Sequence, residues 1–432
     1  MSDLAYGFIA LDLMPMLAGV LAALCCGLLG NHLVLRQQSL MGDAISHAVL
    51  PGLVLAFLVG GTINPAYMFL GAGASAIVTV VLIQLVRRLG RVEPGAAMGV
   101  IFSVLFALGV FLLEQGNARA VDLDASCVLY GNLESLSLHW TPADTWDAFL
   151  SKATLEQIPR QIWTLLGMTG ASIVFMVLFF KELRISAFDP GISTAQGINA
   201  SAIQFLLMVF VAAAAVASFE AVGSILVIAM LICPAATARL LTDRMGSQIL
   251  VSALAALGAS VGGYFLSANA PESLVHGGSV NAAGMMAVIG GVLLVLTIIA
   301  SPRHGIVARA VHRQKLSRRI AMEDLLTTLY RAREAGAPHH ASGMPAVARA
   351  KSSGLVTAKN GALSLTERGL ADASAIIRRH RLWEGYLVDR AGLLPDHVHA
   401  VAETLEHLDS PSPNETDAPH GDQHGKPIPP AS

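Results

Sequence analysis

The chain is 432 residues long, 54% hydrophobic and only 13% charged, with a formal net charge of -2 at pH 7. A water-soluble fold of this size has too little polar surface to cover so much apolar sequence, which excludes an ordinary soluble enzyme and places most of the chain in lipid. The small net charge carries no topological information, because orientation follows where Lys and Arg sit.

A span needs about 20 mainly apolar residues to cross the hydrocarbon core. That measure predicts nine helices, near 9–34, 46–62, 65–87, 96–114, 161–180, 200–218, 222–241, 247–268 and 282–300. Basic residues follow every odd-numbered span from the third: Arg87, Arg88 and Arg91; Lys181 and Arg184; Arg239 and Arg244; Arg303, Arg309 and Arg313. The positive-inside rule puts these loops in the cytoplasm, so the N-terminus faces out and everything after residue 303 is cytosolic. Asp3 and Asp12 at the start do not fit a cleaved signal peptide. Residues 115–160 are long for a connection and carry Trp140 and Trp146, which predicts an outer segment lying partly in the membrane interface. Clustered small residues such as Gly71, Gly73 and Ala74 predict close helix packing. The four cysteines show no Cys-x-x-Cys spacing and read as packing residues.

The polar exceptions inside the apolar part are the informative ones. Asp43 and His47 stand at i, i+4, one turn apart on one helical face, leading into a span. Ionisable groups at membrane depth line a pathway or pair with each other, and a carboxylate with an imidazole suits manganese, iron or zinc better than an alkali ion. The same two residues also read as a helix cap and a buried donor to a backbone carbonyl. Spacing alone leaves both readings open.

The stretch Arg36 to Gly52 resembles the signature of the permease subunits of ABC-type manganese, zinc and iron importers. In that signature the Asp and His of Asp-Ala-x-Ser-His-Ala-x-x-Pro-Gly are associated with the cation path. Further blocks resemble the same family in order: Asp122 to Asp124 with Leu129 to Asn132, Phe188 to Pro190 with Gly197 and Ile198, Val222 to Leu226, Pro234 to Arg239 and Ser301 to Gly305. The resemblance covers residues 10–305 and implies a multi-pass permease of the bacterial inner membrane. It also implies that Asp43 and His47 serve the transported cation, and that the loop with Phe188, Asp189, Pro190 and Gly197 docks on an ATPase. No Gly-x-x-x-x-Gly-Lys-Ser/Thr phosphate loop occurs in the chain. The expectation is therefore a transport subunit rather than an enzyme, with no bound nucleotide and a separate cytosolic ATPase. A second permease copy or a homologous chain, and a solute-binding protein outside the membrane, complete the expected set of partners.

Residues 304–321 read as a basic linker. From Met322 the sequence changes to ordinary soluble character, with a short helix over Met322 to Tyr330, another over Ala346 to Ser352, and a hairpin turning at Asn360-Gly361. Two further helices are predicted, Leu370 to Leu387 and Asp396 to Leu408. His380 and Glu384 lie at i, i+4, and His399, Glu403, Glu406 and His407 share adjoining faces. Such residues form a first-row metal site, or else a solvated helix face. The stretch 322–410 resembles the diphtheria-toxin-repressor type of metal-dependent repressor. That resemblance implies metal ligands at Asp324, His380, Glu384, His399, Glu403, Glu406 and His407. Glu403 stands where iron-type members carry Cys, which resembles the manganese-type branch. Thr327 stands where that branch has a carboxylate, and the interval from Arg333 to Leu355 is too short for a full helix-turn-helix, so DNA binding is not expected. Proline-rich residues 411–432 read as a disordered tail.

The whole is thus expected to be an all-α polytopic membrane protein over 1–303. A small winged-helix-like and helical α+β domain, able to sense the metal that the permease imports, follows in the cytosol. Two rivals are a membrane-tethered metal sensor and a permease for siderophores or cobalamin, and a large organic ligand has no need of the Asp43/His47 pair.

Overall fold

The computed structural model describes residues 8–60, 65–115, 131, 133–140, 156–269, 280–336, 345–359, 362–394, 397–407 and 426–430. The chain forms two compact units, Met1–Ala308 and Arg309–Ser432.

The first unit is helical throughout its described part. In chain order it comprises α1 (Leu13–Leu35), α2 (Met41–Ala48), α3 (Leu50–Gly60), α4 (Pro65–Gly90), α5 (Pro94–Gln115), α6 (Arg160–Leu178), α7 (Phe180–Phe188), α8 (Pro190–Ala195), α9 (Ala200–Leu241), α10 (Met245–Ala268) and α11 (Ala282–Ala300). Among the described residues eight helices are long and apolar enough to cross a membrane, with α2 and α3 together forming one of them. The helix α1 is the core element, because its glycines admit neighbours at backbone distance. Gly27 faces Met230 and Pro234, Gly30 faces the carbonyl of Leu231, and Gly19 faces Met286.

The 42 residues of α9 would reach about 63 Å as a straight helix, twice the hydrocarbon thickness. They do not run straight. Gly223 has φ 73° and ψ 170°, which no helix contains. Ser218 lies against Cys26, and Pro234 against the next residue, Gly27. Sixteen helical residues would hold Ser218 and Pro234 about 24 Å apart, so the chain doubles back at Gly223 into two antiparallel arms. Two crossings, as expected for 200–218 and 222–241, therefore lie within one continuous element, and the crossings total nine among the described residues.

Polar contacts sort the helix ends into two sets. Arg36 donates to Ser186 at 2.7 Å, Gln204 to Gln38 at 3.3 Å and Ser301 to the Leu240 carbonyl at 2.6 Å at one end. Tyr264 donates to Asp12 at 2.8 Å, Trp140 to the Ile9 carbonyl at 3.1 Å and Arg160 to Glu220 at 3.0 Å at the other. Trp140 is buried against the start of the bundle rather than serving as an interfacial anchor, because its indole N–H finds a backbone acceptor there. Trp146 and Cys127 lie outside the described residues.

The second unit differs from the expectation at its start. The supposed linker and short helix are one element, α12 (Ile306–Glu334), since nothing between Ile306 and Glu334 breaks a helix. It is followed by α13 (Pro345–Ser352), β1 (Val356–Lys359), β2 (Ala362–Leu365), α14 (Glu367–Asp389) and α15 (His399–Leu405). The strands pair antiparallel with Lys359 opposite Ala362, the register that a two-residue turn dictates; the turn residues themselves lie outside the described residues. Leu325, Leu326 and Leu329 of α12 pack with Val347, Val356, Leu363 and Ile376 as the core. The helix α15 is shorter than predicted and leaves Glu406 and His407 in the turn beyond it. Part of the expected tail is ordered: Arg378 donates to the Pro429 carbonyl at 2.6 Å and Arg381 to that of Pro427.

Candidate functional sites: an Asp–His pair and two donor triads

In the membrane unit, α2 buries Met41, Gly42, Ala44, Ile45, Ser46 and Ala48 and turns Asp43 and His47 to the opposite face. His47 Nε2 stands 3.3 Å from Asp43 Oδ1, both half-buried. The imidazole is flanked by Phe102 and Phe106 of α5, with ring centroids 5.3 and 5.7 Å away. Depth follows from Leu231, seven residues into the second arm of α9, which touches both Gly30 and Gly42. Asp43 therefore begins its helix well inside the bundle. The pair supplies two donors, and among the described residues no third His, Cys, Asp or Glu donor joins it.

The loop with Phe188, Asp189, Pro190 and Gly197 is a short capped helix. Asp189 accepts from the amides of Gly191 at 2.8 Å and Ile192 at 2.9 Å, Pro190 opens α8, and Gly197 at φ 79° closes it. Phe188 and Ile192 are 63% and 52% exposed, apolar groups that capping holds outward. Glu220 is no free carboxylate. Arg160 Nη2 donates to both its oxygens at 3.0 and 3.1 Å, beside the fold-back.

In the second unit six of the seven expected ligands gather into two triads. His380 Nε2, Glu384 Oε1 and His399 Nδ1 form a triangle with edges of 3.1, 2.8 and 3.1 Å. Donors on a first-row ion, with bonds of about 2.1 Å, stand about 3 Å apart, so the triangle has the size a divalent ion needs. Asp324 Oδ1, Glu406 Oε1 and His407 Nε2 form the second, looser set, with His407 at 3.2 Å from Asp324 and 3.8 Å from Glu406. Glu406 joins the sets, its other oxygen lying 2.6 Å from His380 Nδ1. These last two atoms are buried, and no aligned hydrogen bond forms between them.

Glu403 belongs to neither triad and is exposed. Thr327 turns back onto the Asp324 carbonyl at 3.0 Å and adds no ligand. Glu323, which spacing did not single out, accepts from His407 Nδ1 at 2.6 Å and from Arg319 at 2.8 Å. A carboxylate on the far nitrogen of a ligating histidine fixes its tautomer and orientation. Burial opposes charge on His380, but Glu384 and Glu406 outweigh it and hold the imidazole up at about 9. Burial likewise opposes charge on Glu384, and His380 and His399 outweigh it, pulling the carboxyl down to about 2. Burial, above all, pushes Asp324 up, with His407 opposing.

The chain belongs to the ABC 3 transport family, which it matches over residues 11–139 and 147–301. Residues 366–430 match the iron dependent repressor, metal binding and dimerisation domain. The chain is 38% identical over 291 residues to the manganese transport system membrane protein MntD of Bacillus subtilis, covering 67% of this chain and 92% of that one. It is 34% identical over 297 residues to the zinc transport system membrane protein TroD of Treponema pallidum, covering 68% and 75%. Among solved structures, PsaBC from Streptococcus pneumoniae in complex with Fab aligns with a TM-score of 0.53 at 27% identity, covering 67% of this chain and 92% of that one. The chain is therefore a membrane subunit and not an enzyme, with ATP hydrolysis residing in a separate subunit.

Proposed function

We propose that this chain is the permease of an importer that passes a divalent transition metal into the cytoplasm, manganese ahead of zinc or iron. The observation that carries the reading is the Asp43–His47 pair, 3.3 Å apart on the face of α2 turned away from the core. Two donors fall short of the four to six that such an ion takes. A second permease copy or a homologous chain faces the pair and supplies the rest. The ATPase docks on Phe188, Ile192 and the capped turn of α8, and a solute-binding protein delivers the ion at the end where Glu220 lies. The N-terminus is outside and the second unit cytosolic, in line with the basic loops. Manganese preference draws on relatives such as MntD and on the oxygen-rich set Asp324, Glu406 and His407; exposed Glu403 no longer contributes to it.

The second unit serves as a cytosolic metal sensor in the same reading. His380, Glu384 and His399 would hold one ion and Asp324, Glu406 and His407 another, and each ion would bring positive charge to a buried acidic junction. DNA binding forms no part of the proposal. Only α13 stands between α12 and the strands among the described residues, where sequence reading needs two helices.

Uptake of radiolabelled manganese, zinc and iron by cells carrying the wild-type, Asp43→Asn or His47→Gln chain tests the reading. At equal membrane levels, both substitutions abolish uptake of the transported ion. Unchanged uptake would leave the bundle a mere anchor for the sensor.

A further inference from the structure

The nine-crossing bundle hands over to the second unit through a helix of unusual composition. Between Ser301 and Met322 the chain has six Lys or Arg residues, two His and no Asp or Glu. Arg303 is paired with Asp243 and Arg319 with Glu323. Arg309, Arg313, Lys315 and Arg318 are exposed, and no acidic partner reaches them among the described residues. Basic residues after a last span are the ordinary topological signal, which needs charge alone. This segment has more than charge. Ile306 and Val307 are each 53% exposed and Val311 45%.

At about 100° per residue, Ile306, Val307, Ala310 and Val311 occupy one sector of about 140° on the first two turns of α12, and Arg309, His312, Arg313 and Lys315 fill the opposite half; beyond them the stripe ends, with Gln314, Ser317 and Arg318 in its sector and Leu316 on the basic side. No topological rule asks for that apolar stripe. An exposed apolar sector backed by a basic one, starting six residues after the last span ends at Ala300, has the composition of a helix that lies on a lipid surface. Charge complementarity selects the lipid, since four unpaired cations beside a bilayer favour anionic headgroups by roughly 1 kcal/mol each.

We infer that the first half of α12, residues 306–318, binds the anionic lipid surface of the inner leaflet. The inference rests on the cytosolic placement of the second unit and is independent of which ion is moved. Its interest lies in what the same helix carries further on. Arg319 holds Glu323, Glu323 holds His407, and Asp324 faces His407 from the other side. One continuous helix thus has a lipid-binding end and a metal-binding end.

The test is hydrogen exchange on the purified full chain in nanodiscs of phosphatidylcholine alone or mixed with phosphatidylglycerol. Exchange over 306–318 should slow at least about tenfold in the anionic discs, the worth of one to two basic residues, and recover in high salt. The variant with Arg309, Arg313, Lys315 and Arg318 all changed to Gln should lose the effect while exchange over 367–389 stays as in wild type, showing the unit folded. Val307→Ser with Val311→Ser should weaken protection in both discs. Equal exchange in the two discs overturns the inference. So does slowing by inorganic phosphate in phosphatidylcholine discs, or slowing seen only when the ATPase is added. None of these outcomes involves uptake, so failure here leaves the importer reading standing.

Discussion

Glu406 Oε2 lies 2.6 Å from His380 Nδ1 with both side chains enclosed, and through this contact the two donor triads of the second unit share a residue. Each triad is thereby coupled to the state of the other. Removing one partner of a buried charged pair is also far more damaging than removing an exposed group.

The first prediction follows directly. Glu406→Gln lowers metal affinity at least about tenfold at both triads, because it withdraws a ligand from one and the orienting carboxylate from the other. Glu403→Gln, at an exposed position outside both sets, changes affinity less than about twofold, as expected of a surface substitution. Calorimetric titration of the full chain with manganese separates the two. Equal losses would return Glu403 to the site.

The pH dependence has opposite signs with and without metal. His380 is raised from 6.5 to about 9 in the folded state, so its contribution is complete below 6.5 and disappears as pH rises through 9. Glu384 is lowered from 4.5 to about 2, so its contribution is complete above 4.5 and disappears as pH falls through 2. In chelator the second unit is therefore most stable between pH 4.5 and 6.5 and loses stability towards 9. Metal must displace the His380 proton, so its affinity rises over that same upper interval. Thermal unfolding across pH, with chelator and with manganese, measures both slopes.

Arg331 Nη2 stands 3.5 Å from His380 Nε2, the nitrogen that belongs to the triangle. A guanidinium there opposes a divalent ion, so Arg331→Gln strengthens metal binding by several fold at low salt and by less at high salt. Titrations at two ionic strengths give the answer, and weaker binding would mean that the arginine organises the site.

At the fold-back, a Cβ on Gly131 would collide with the Gly223 amide and the Val222 carbonyl carbon, and both glycines have φ above 70°. Gly131→Ala and Gly223→Ala therefore each destabilise the membrane unit by about 2 kcal/mol or more. Gly197→Ala meets open space at φ 79° and bears only the backbone strain, about 1–2 kcal/mol. Thermal stability in detergent ranks the three.

The spans were legible because length and hydropathy are local properties, and the Asp43–His47 pair because i, i+4 geometry is fixed by the helix. The fold-back was foreseen as two spans, but not its pivot, since Gly223 sits in sequence that reads as continuous helix. The second unit shows where local reading stops. His399, Glu403, Glu406 and His407 lie close together on α15 and the turn beyond it, and which of them point inward depends on how that segment meets α14 and α12. That relation is tertiary. Glu323 carries no local signal because its partner His407 is 84 residues away, and neither does the pairing of Arg378 and Arg381 with Pro429 and Pro427, because backbone carbonyls leave no mark in a sequence.

Leu231 rests on Gly30 of α1 and on Gly42, the neighbour of Asp43, while the first arm of α9 starts five residues after α8 ends. The doubled helix thus joins the exposed turn at Phe188 to the Asp43–His47 pair by one continuous stretch of chain that folds back at Gly223. On the function proposed above, a motor bearing on that turn reaches the ligand through backbone alone, with no part of it entering the bilayer.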